Sequence, residues 1–261
     1  MTVAQPAVRP ESIGLASPPL EAPRCPALFL DLDGTLAPIM PRPDDVGPDP
    51  RRARLLARLK AALNGRLAVV SGRSLPDLDH ILGGGVRAVA AVHGLVRRTA
   101  DGLLVDREPH PGLDEARRIL GELADCERGL LFEDKGLSVA LHYRNAPGCA
   151  EAVNEAAERL SQATGLVLQQ GDMVAELRTP GADKGAAVRA FLREAPFANA
   201  TPIFIGDDLT DEDGFTAADR LGGFGILVGQ PRPTAARYRL ADHEAVFRWL
   251  DGLRVPMEAS A

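Results

Sequence analysis

The sequence predicts an α/β protein: a parallel sheet with helices on both faces, interrupted by a separate small α+β module. Two observations carry this. Short apolar runs rich in β-formers, Ala27-Leu28-Phe29-Leu30, Leu67-Ala68-Val69-Val70 and 88–92, alternate with stretches of helical spacing, the pattern of a parallel sheet covered on both sides. The alternation returns after about residue 180, whereas the stretch between about 99 and 180 is patterned differently. With 261 residues, 45% of them hydrophobic and 25% charged, the chain can fill one large domain or two modest ones.

Residues 1–24 are rich in Pro, Ala and Ser and have no periodicity. They are expected to form a disordered N-terminal tail, and they lack the basic start and apolar run of a signal peptide. A core domain is expected over 25–100 and 181–254, with the inserted module over 101–180. The first strand ends at Asp31-Leu32-Asp33-Gly34-Thr35-Leu36. The Pro-rich loop 37–50 that follows cannot pair with it as a hairpin. Leu55, Leu56, Leu59 and Leu63 fall at helical spacing, and that helix stops near Asn64-Gly65. The next strand ends at Ser71-Gly72-Arg73, a helix covers 75–82, and a third strand ends at His93-Gly94. In the module, strand-like pieces at 103–105, 130–133, 137–143 and 173–177 interleave with helices near 112–125 and 148–163. The alternation from Ser138 to Tyr143 suits a sheet with one wet face. Helices 183–194, 211–220 and 242–252 and strands 202–205 and 225–228 complete the core, and 255–261 reads as a loose tail.

The net charge of -6, without a Lys/Arg run, argues against a nucleic-acid partner. Cys25, Cys126 and Cys149 have no metal-ligand spacing and read as isolated thiols of a reducing cytoplasm. No stretch is apolar enough to span a bilayer. A cytoplasmic protein with neither a nucleic-acid nor a membrane partner is therefore expected, and a monomer is expected as well. Of 30 basic residues only Lys60, Lys135 and Lys184 are lysine, so the lysines are candidates for tight sites where a compact ammonium fits and a guanidinium does not.

The polar residues Asp31, Asp33, Ser71, Arg73 and His93 all follow strands, where open α/β sheets bind ligands. Asp31 and Asp33, one residue apart, repel unless a cation lies between them, and an Asp so placed can serve as nucleophile. The strand 202–205 runs into Gly206-Asp207-Asp208-Leu209-Thr210-Asp211-Glu212-Asp213, five acids in seven residues. Thr210 capping a helix with an acidic first turn accounts for part of this. Asp207 and Asp208 are left over, and Mg²⁺ is the cation that suits carboxylate and carbonyl oxygens there. Lys184 opens a helix against the macrodipole, which suggests a demand for its charge elsewhere. Ser71 and neighbouring N–H groups can donate to the same anion.

In this order these residues resemble the haloacid dehalogenase superfamily of phosphohydrolases, whose four motifs match Asp31-Leu32-Asp33-Gly34-Thr35, Ser71, Lys184 and Gly206-Asp207-Asp208 with Asp211. The resemblance implies a Rossmann-like parallel sheet core with an inserted α+β cap domain. It also implies an aspartyl-phosphate on Asp31, acid/base work by Asp33, and Mg²⁺ held by Asp31, the Asp33 carbonyl and Asp207, with Asp208 and Asp211 behind them. Within the module, Phe132-Glu133-Asp134-Lys135-Gly136-Leu137-Ser138, His142-Tyr143-Arg144 and Gly171-Asp172-Met173-Val174-Ala175-Glu176-Leu177-Arg178 resemble the trehalose-6-phosphate phosphatase family. The likeness spans roughly 27 to 250. It implies that Glu133, Lys135, Arg144 and Glu176 hold the sugar of trehalose 6-phosphate, with Arg73 and His93 facing the substrate, although Ala91 stands where the family has glycine. Fixed donors and acceptors of this kind suit hydroxyl recognition. A sugar held by one module and attacked from another implies closure at each turnover. Arg144 and Glu176 also read as a surface ion pair, and His142 as a structural position. A phosphatase for sucrose 6-phosphate or a mannosyl phosphoglycerate, and a silent regulatory domain, are the alternative readings.

Overall fold

The computed structural model describes residues 14–171 and 173–256. They form two compact units, the first made of the residues up to Val105 together with those from Ala182 on, and the second of those within Asp106–Gly181.

The first unit begins with β1 (Pro26–Leu30), buried along its whole length. Helix α1 (Pro50–Ala62) follows, capped by Asp49, whose carboxylate accepts from Arg51 N, with Pro50 in the first turn where its missing N–H costs nothing. Strand β2 (Leu67–Val70), helix α2 (Leu75–Leu82, capped by Ser74) and β3 (Ala88–Ala91) extend the alternation. The chain then turns back through β4 (Val96–Arg98) and β5 (Leu104–Val105), both antiparallel. The inserted unit supplies α3 (Gly112–Cys126), β6 (Leu131–Asp134), β7 (Ser138–His142), α4 (Ala150–Thr164), β8 (Val167–Gly171) and β9 (Val174–Arg178). The first unit resumes with α5 (Lys184–Phe191), β10 (Thr201–Gly206), α6 (Glu212–Arg220), β11 (Phe224–Val228), β12 (Tyr238–Leu240) and α7 (His243–Gly252).

The core sheet runs β12-β11-β10-β1-β2-β3-β4-β5 and is parallel from β12 to β3. Strand order reverses at β1, which lies between β2 and β10. Right-handed crossovers therefore carry α1 and α2 to one face and α6 to the other. Phe29, Phe191, Phe197, Phe204 and Phe215 form the apolar layer under α5 and α6, with ring centroids 5.2–6.1 Å apart.

The inserted unit is a four-stranded antiparallel sheet, order β6-β7-β9-β8. Val139, Leu141, Ala175 and Leu177 pack with Leu113, Leu120, Val153 and Leu160 of α3 and α4. The opposite face carries Glu133, Ala140, Glu176 and Gln169 in one cross-strand row.

Three expectations change. Residues 14–24 are not a disordered tail: Ala22 N donates to Arg254 O, Arg239 N to Ala16 O and Trp249 Nε1 to Pro19 O. Residues 1–13 and 257–261, read as loose, lie outside the described residues, as does Asp172. The strand at 103–105 belongs to the core sheet, because a turn through Gly102 (φ 101) folds it back onto β4. The polar face of β7 is not wet, since Ser138, Ala140 and Glu176 are buried. Strands β4, β8 and β12 went unread: two are three residues long and the third carries Gln169 and Gln170, so none stands out as an apolar run.

Candidate active site

Parallel pairing of β1 with β10 sets the site. Leu30 is opposite Ile205, and Asp31 N donates to Ile205 O at 2.9 Å, so the two acidic strand ends are neighbours at the point where strand order reverses. Asp31, Asp207 and Asp211 bring carboxylate oxygens within 4.8 Å of one another. This approach depends on glycine at two positions. A Cβ on Gly34 (φ 76) would lie 2.0 Å from Asp207 Oδ2, and one on Gly206 would lie 2.2 Å from Asp211 Cγ.

Lys184 enters from the first turn of α5, whose N-cap is Asp183. Its Nζ donates to Asp31 Oδ1 at 2.7 Å and to Asp211 Oδ1 at 2.6 Å, with all three side chains buried. The demand inferred from its unfavourable helix position is therefore met by two acids. Burial works against the ammonium, but Asp211 and Asp31 together outweigh it and hold Lys184 protonated well above the usual lysine range. Burial raises Asp31 well above the usual carboxylate value, with Asp211 and Asp207 adding to the rise and Lys184 opposing it. Asp207 is pushed up to about 7, first by burial and then by Asp211. One ammonium thus serves three crowded acids, which still favour a proton or a further cation.

The rest of the acidic turn is occupied by the backbone. Thr210 does not cap α6, whose N-cap Asp211 makes no side-chain cap bond. Asp208 instead caps the 3-10 turn Leu209–Asp211 that leads into it, its Oδ1 accepting from Leu209 N at 2.7 Å and its N donating to Asp211 Oδ2 at 2.9 Å in a capping box. Thr210 is buried. Both oxygens of Asp211 are thereby engaged, one by Lys184 and one by the turn, so it braces the centre.

On the other side, Arg73 grips Asp33 with Nε and Nη2, both at 2.7 Å, and donates through Nη1 to Pro43 O at 2.9 Å. The resemblance assigns Arg73 to substrate; in the structure each of its guanidinium nitrogens makes one of these bonds to the acid or the Pro-rich loop. Ser71 is buried beside it, its Oγ accepting from Arg73 N at 3.2 Å. His93 is buried, and its N donates to Ser71 O at 2.9 Å. Val92 (φ 46) and His93 (φ 55) are both left-handed, a costly backbone state for a β-branched residue.

In the inserted unit, Lys135 Nζ donates to Glu176 Oε2 at 3.0 Å and lies 3.9 Å from Glu133 Oε2, while His142 Nε2 and Glu133 Oε2 are 2.8 Å apart. Burial opposes the charge on Glu133, but His142 and Lys135 overcome it and hold its carboxyl below the usual range. Three of the four sugar-assigned residues thus share one cluster. Arg144 lies just past β7, half-buried, and Glu176, read as a surface group, is buried and paired with Lys135. His142 belongs to this cluster, and its position opposite Leu131, beside the Glu133 pairing, could have indicated it.

A trehalose-phosphatase family model matches residues 29–244. The chain is similar to trehalose-6-phosphate phosphatase of Escherichia coli (strain K12), at 38% identity over 238 residues, 89% of this chain and 88% of that protein. Among solved structures it is similar to a trehalose-6-phosphate phosphatase related protein, with TM-score 0.74 and 27% identity over 86% of this chain and 95% of that one. A haloacid dehalogenase-like hydrolase from B. subtilis, at 17% identity, TM-score 0.62 and coverage of 87% and 99%, shares the fold alone.

Proposed function

The chain belongs to the trehalose-phosphatase family, and from that premise we propose that Asp31, Asp33, Lys184 and Asp207 release phosphate from trehalose 6-phosphate while Glu133, Lys135 and Glu176 hold the sugar. The reaction is hydrolysis of a phosphoric monoester, in trehalose biosynthesis. The observation that carries the assignment of residues is the convergence of Asp31, Asp207 and Asp211 on one buried lysine at the strand-order reversal.

Lys184 holds Asp31 Oδ1 and so fixes the rotamer of the nucleophile. Asp31 attacks phosphorus, a P–O bond to the carboxylate forms, and the P–O bond to the sugar breaks as Asp33 gives that oxygen a proton. A water then loses a proton to Asp33 and attacks phosphorus, and the bond to Asp31 breaks to free phosphate. Arg73 holds both Asp33 oxygens, so the Arg73–Asp33 pair must open before Asp33 can reach the leaving oxygen. The donor set fits a hard dication: oxygens within 4.8 Å, a glycine where a Cβ would block Asp207, and more acid than Lys184 can offset. Asp31, the Asp33 carbonyl and Asp207 would hold Mg²⁺, which when bound offsets the charge of the phosphate against the acids.

Phosphate release from trehalose 6-phosphate, compared with sucrose 6-phosphate and a mannosyl phosphoglycerate, tests the reading through kcat/KM. Trehalose 6-phosphate should win, EDTA should abolish turnover, and Asp31→Asn should fold yet be inactive. Full turnover by the metal-stripped chain or by Asp31→Asn would refute the assigned roles.

A further inference from the structure

The mechanism makes no use of Arg232, in the loop between β11 and β12, yet its side chain is built into the turn that carries Asp207. Its Nη2 donates to Asp208 O at 2.8 Å and to Asp207 O at 3.3 Å. Its Nη1 is bonded to Glu212 Oε1, the first residue of α6, and reaches Pro233 O at 3.3 Å. Glu212 is held from the same loop: Thr234 Oγ1 donates to its Oε1 at 2.8 Å and Ala235 N to its Oε2 at 2.7 Å. Thr234 is fully buried and its Oγ1 also accepts from Ala236 N at 3.0 Å. The side chains of Arg232 and Glu212 are 22% and 12% exposed, so the pair is well shielded from solvent.

We propose that Arg232 and Glu212 form a strut that presets the Asp207 carboxylate for divalent-cation binding, Arg232 being a positioning residue. A planar guanidinium donates along fixed directions. By taking the carbonyls of two consecutive residues it fixes both peptide planes and turns those oxygens away from the centre. Asp208 and Asp211 are already committed to the turn and to Lys184, so the strut leaves the Asp207 carboxylate aimed inwards. Small dications demand near-ideal geometry, and contacts one layer behind the ligands characteristically change affinity by 10- to 100-fold when removed. Glu212 has a part that the acidic sequence alone conceals: it neutralises Arg232, which would otherwise set an unpaired charge beside the site.

The inference rests on the Mg²⁺ reading above, and its test separates the two. Mg²⁺ is titrated calorimetrically into the metal-free full chain without substrate. Arg232→Ala should weaken binding about tenfold or more. Arg232→Lys, which can reach one carbonyl but cannot fork, should fall between it and the wild type. Glu212→Gln should weaken binding in the same direction, and near-UV spectra of the metal-free variants should match the wild type. A wild type that takes up no Mg²⁺ overturns the metal reading and the strut together. Wild-type uptake with unchanged affinity in Arg232→Ala overturns the strut alone. Loss of the near-UV spectrum in all three variants makes the contacts general scaffolding and also overturns it.

Discussion

Lys184→Met removes one ammonium and keeps most of the side-chain volume, so it isolates the electrostatics of the centre. The three acids it serves lie with oxygens inside 4.8 Å. At an effective dielectric near 20, two unit charges at that separation repel by about 3.5 kcal/mol. Removing one partner of a buried ion pair costs about 3–5 kcal/mol by the same physics seen from the other side. In a chain of this size each kcal/mol moves the melting temperature by roughly 2–4 °C, so the metal-free variant should melt on the order of 10 °C below the wild type at pH 7.5. The assay is a calorimetric melt in EDTA, repeated at pH 5.5 and with saturating Mg²⁺. Acidification lets Asp31 and Asp207, both raised, take up protons, and a dication replaces the missing charge. Either treatment should shrink the deficit. A variant melting within 2 °C of the wild type in EDTA at pH 7.5 would refute the view that Lys184 offsets crowded, buried acids. Phosphatase activity should fall by about 10²-fold or more, since the role proposed for Lys184 includes stabilising charge at Asp31.

Metal-free protein should lose stability as pH rises from about 4 to about 7. Asp207 is held up to about 7 by burial and Asp211, so the folded state binds its proton more tightly than the unfolded state, and that contribution is lost through the folded value. Melts at pH 5.5 and 7.5 in EDTA check the sign, and a melting point that climbs over this interval would contradict it. In the inserted unit, Glu176→Gln breaks the buried pair with Lys135 and should cut kcat/KM for trehalose 6-phosphate about 10- to 100-fold. Hydrolysis of p-nitrophenyl phosphate, which has no sugar to hold, should stay within about threefold. Equal losses on both substrates would remove Glu176 from sugar recognition.

The alternation of apolar runs with helical spacings was enough to place the five inner parallel strands, because each run is local and these strands are buried along all or nearly all of their length. Asp31, Asp33, Lys184 and Asp207 were legible for a related reason: each follows a strand or opens a helix, and that position alone sends it to the ligand-binding edge. Residues 14–24 and the β4–β5 hairpin were not legible, since what orders them is pairing with distant chain, Ala22 with Arg254 and β4 with β3. Partnership at the site was equally hidden. Lys184 is 153 residues from Asp31, and Arg73 is 40 from Asp33. No local spacing could say that Arg73 would hold the acid, that Asp211 would turn inwards over Gly206, or that Glu212 would hold Arg232. Sequence by itself fixes which residues reach the strand ends, because strand and helix periodicity are short-ranged. Which carboxylate each cation holds was decided only by the tertiary structure, because ion pairing depends on separations of a few ångströms between segments whose adjacency is created by the sheet order.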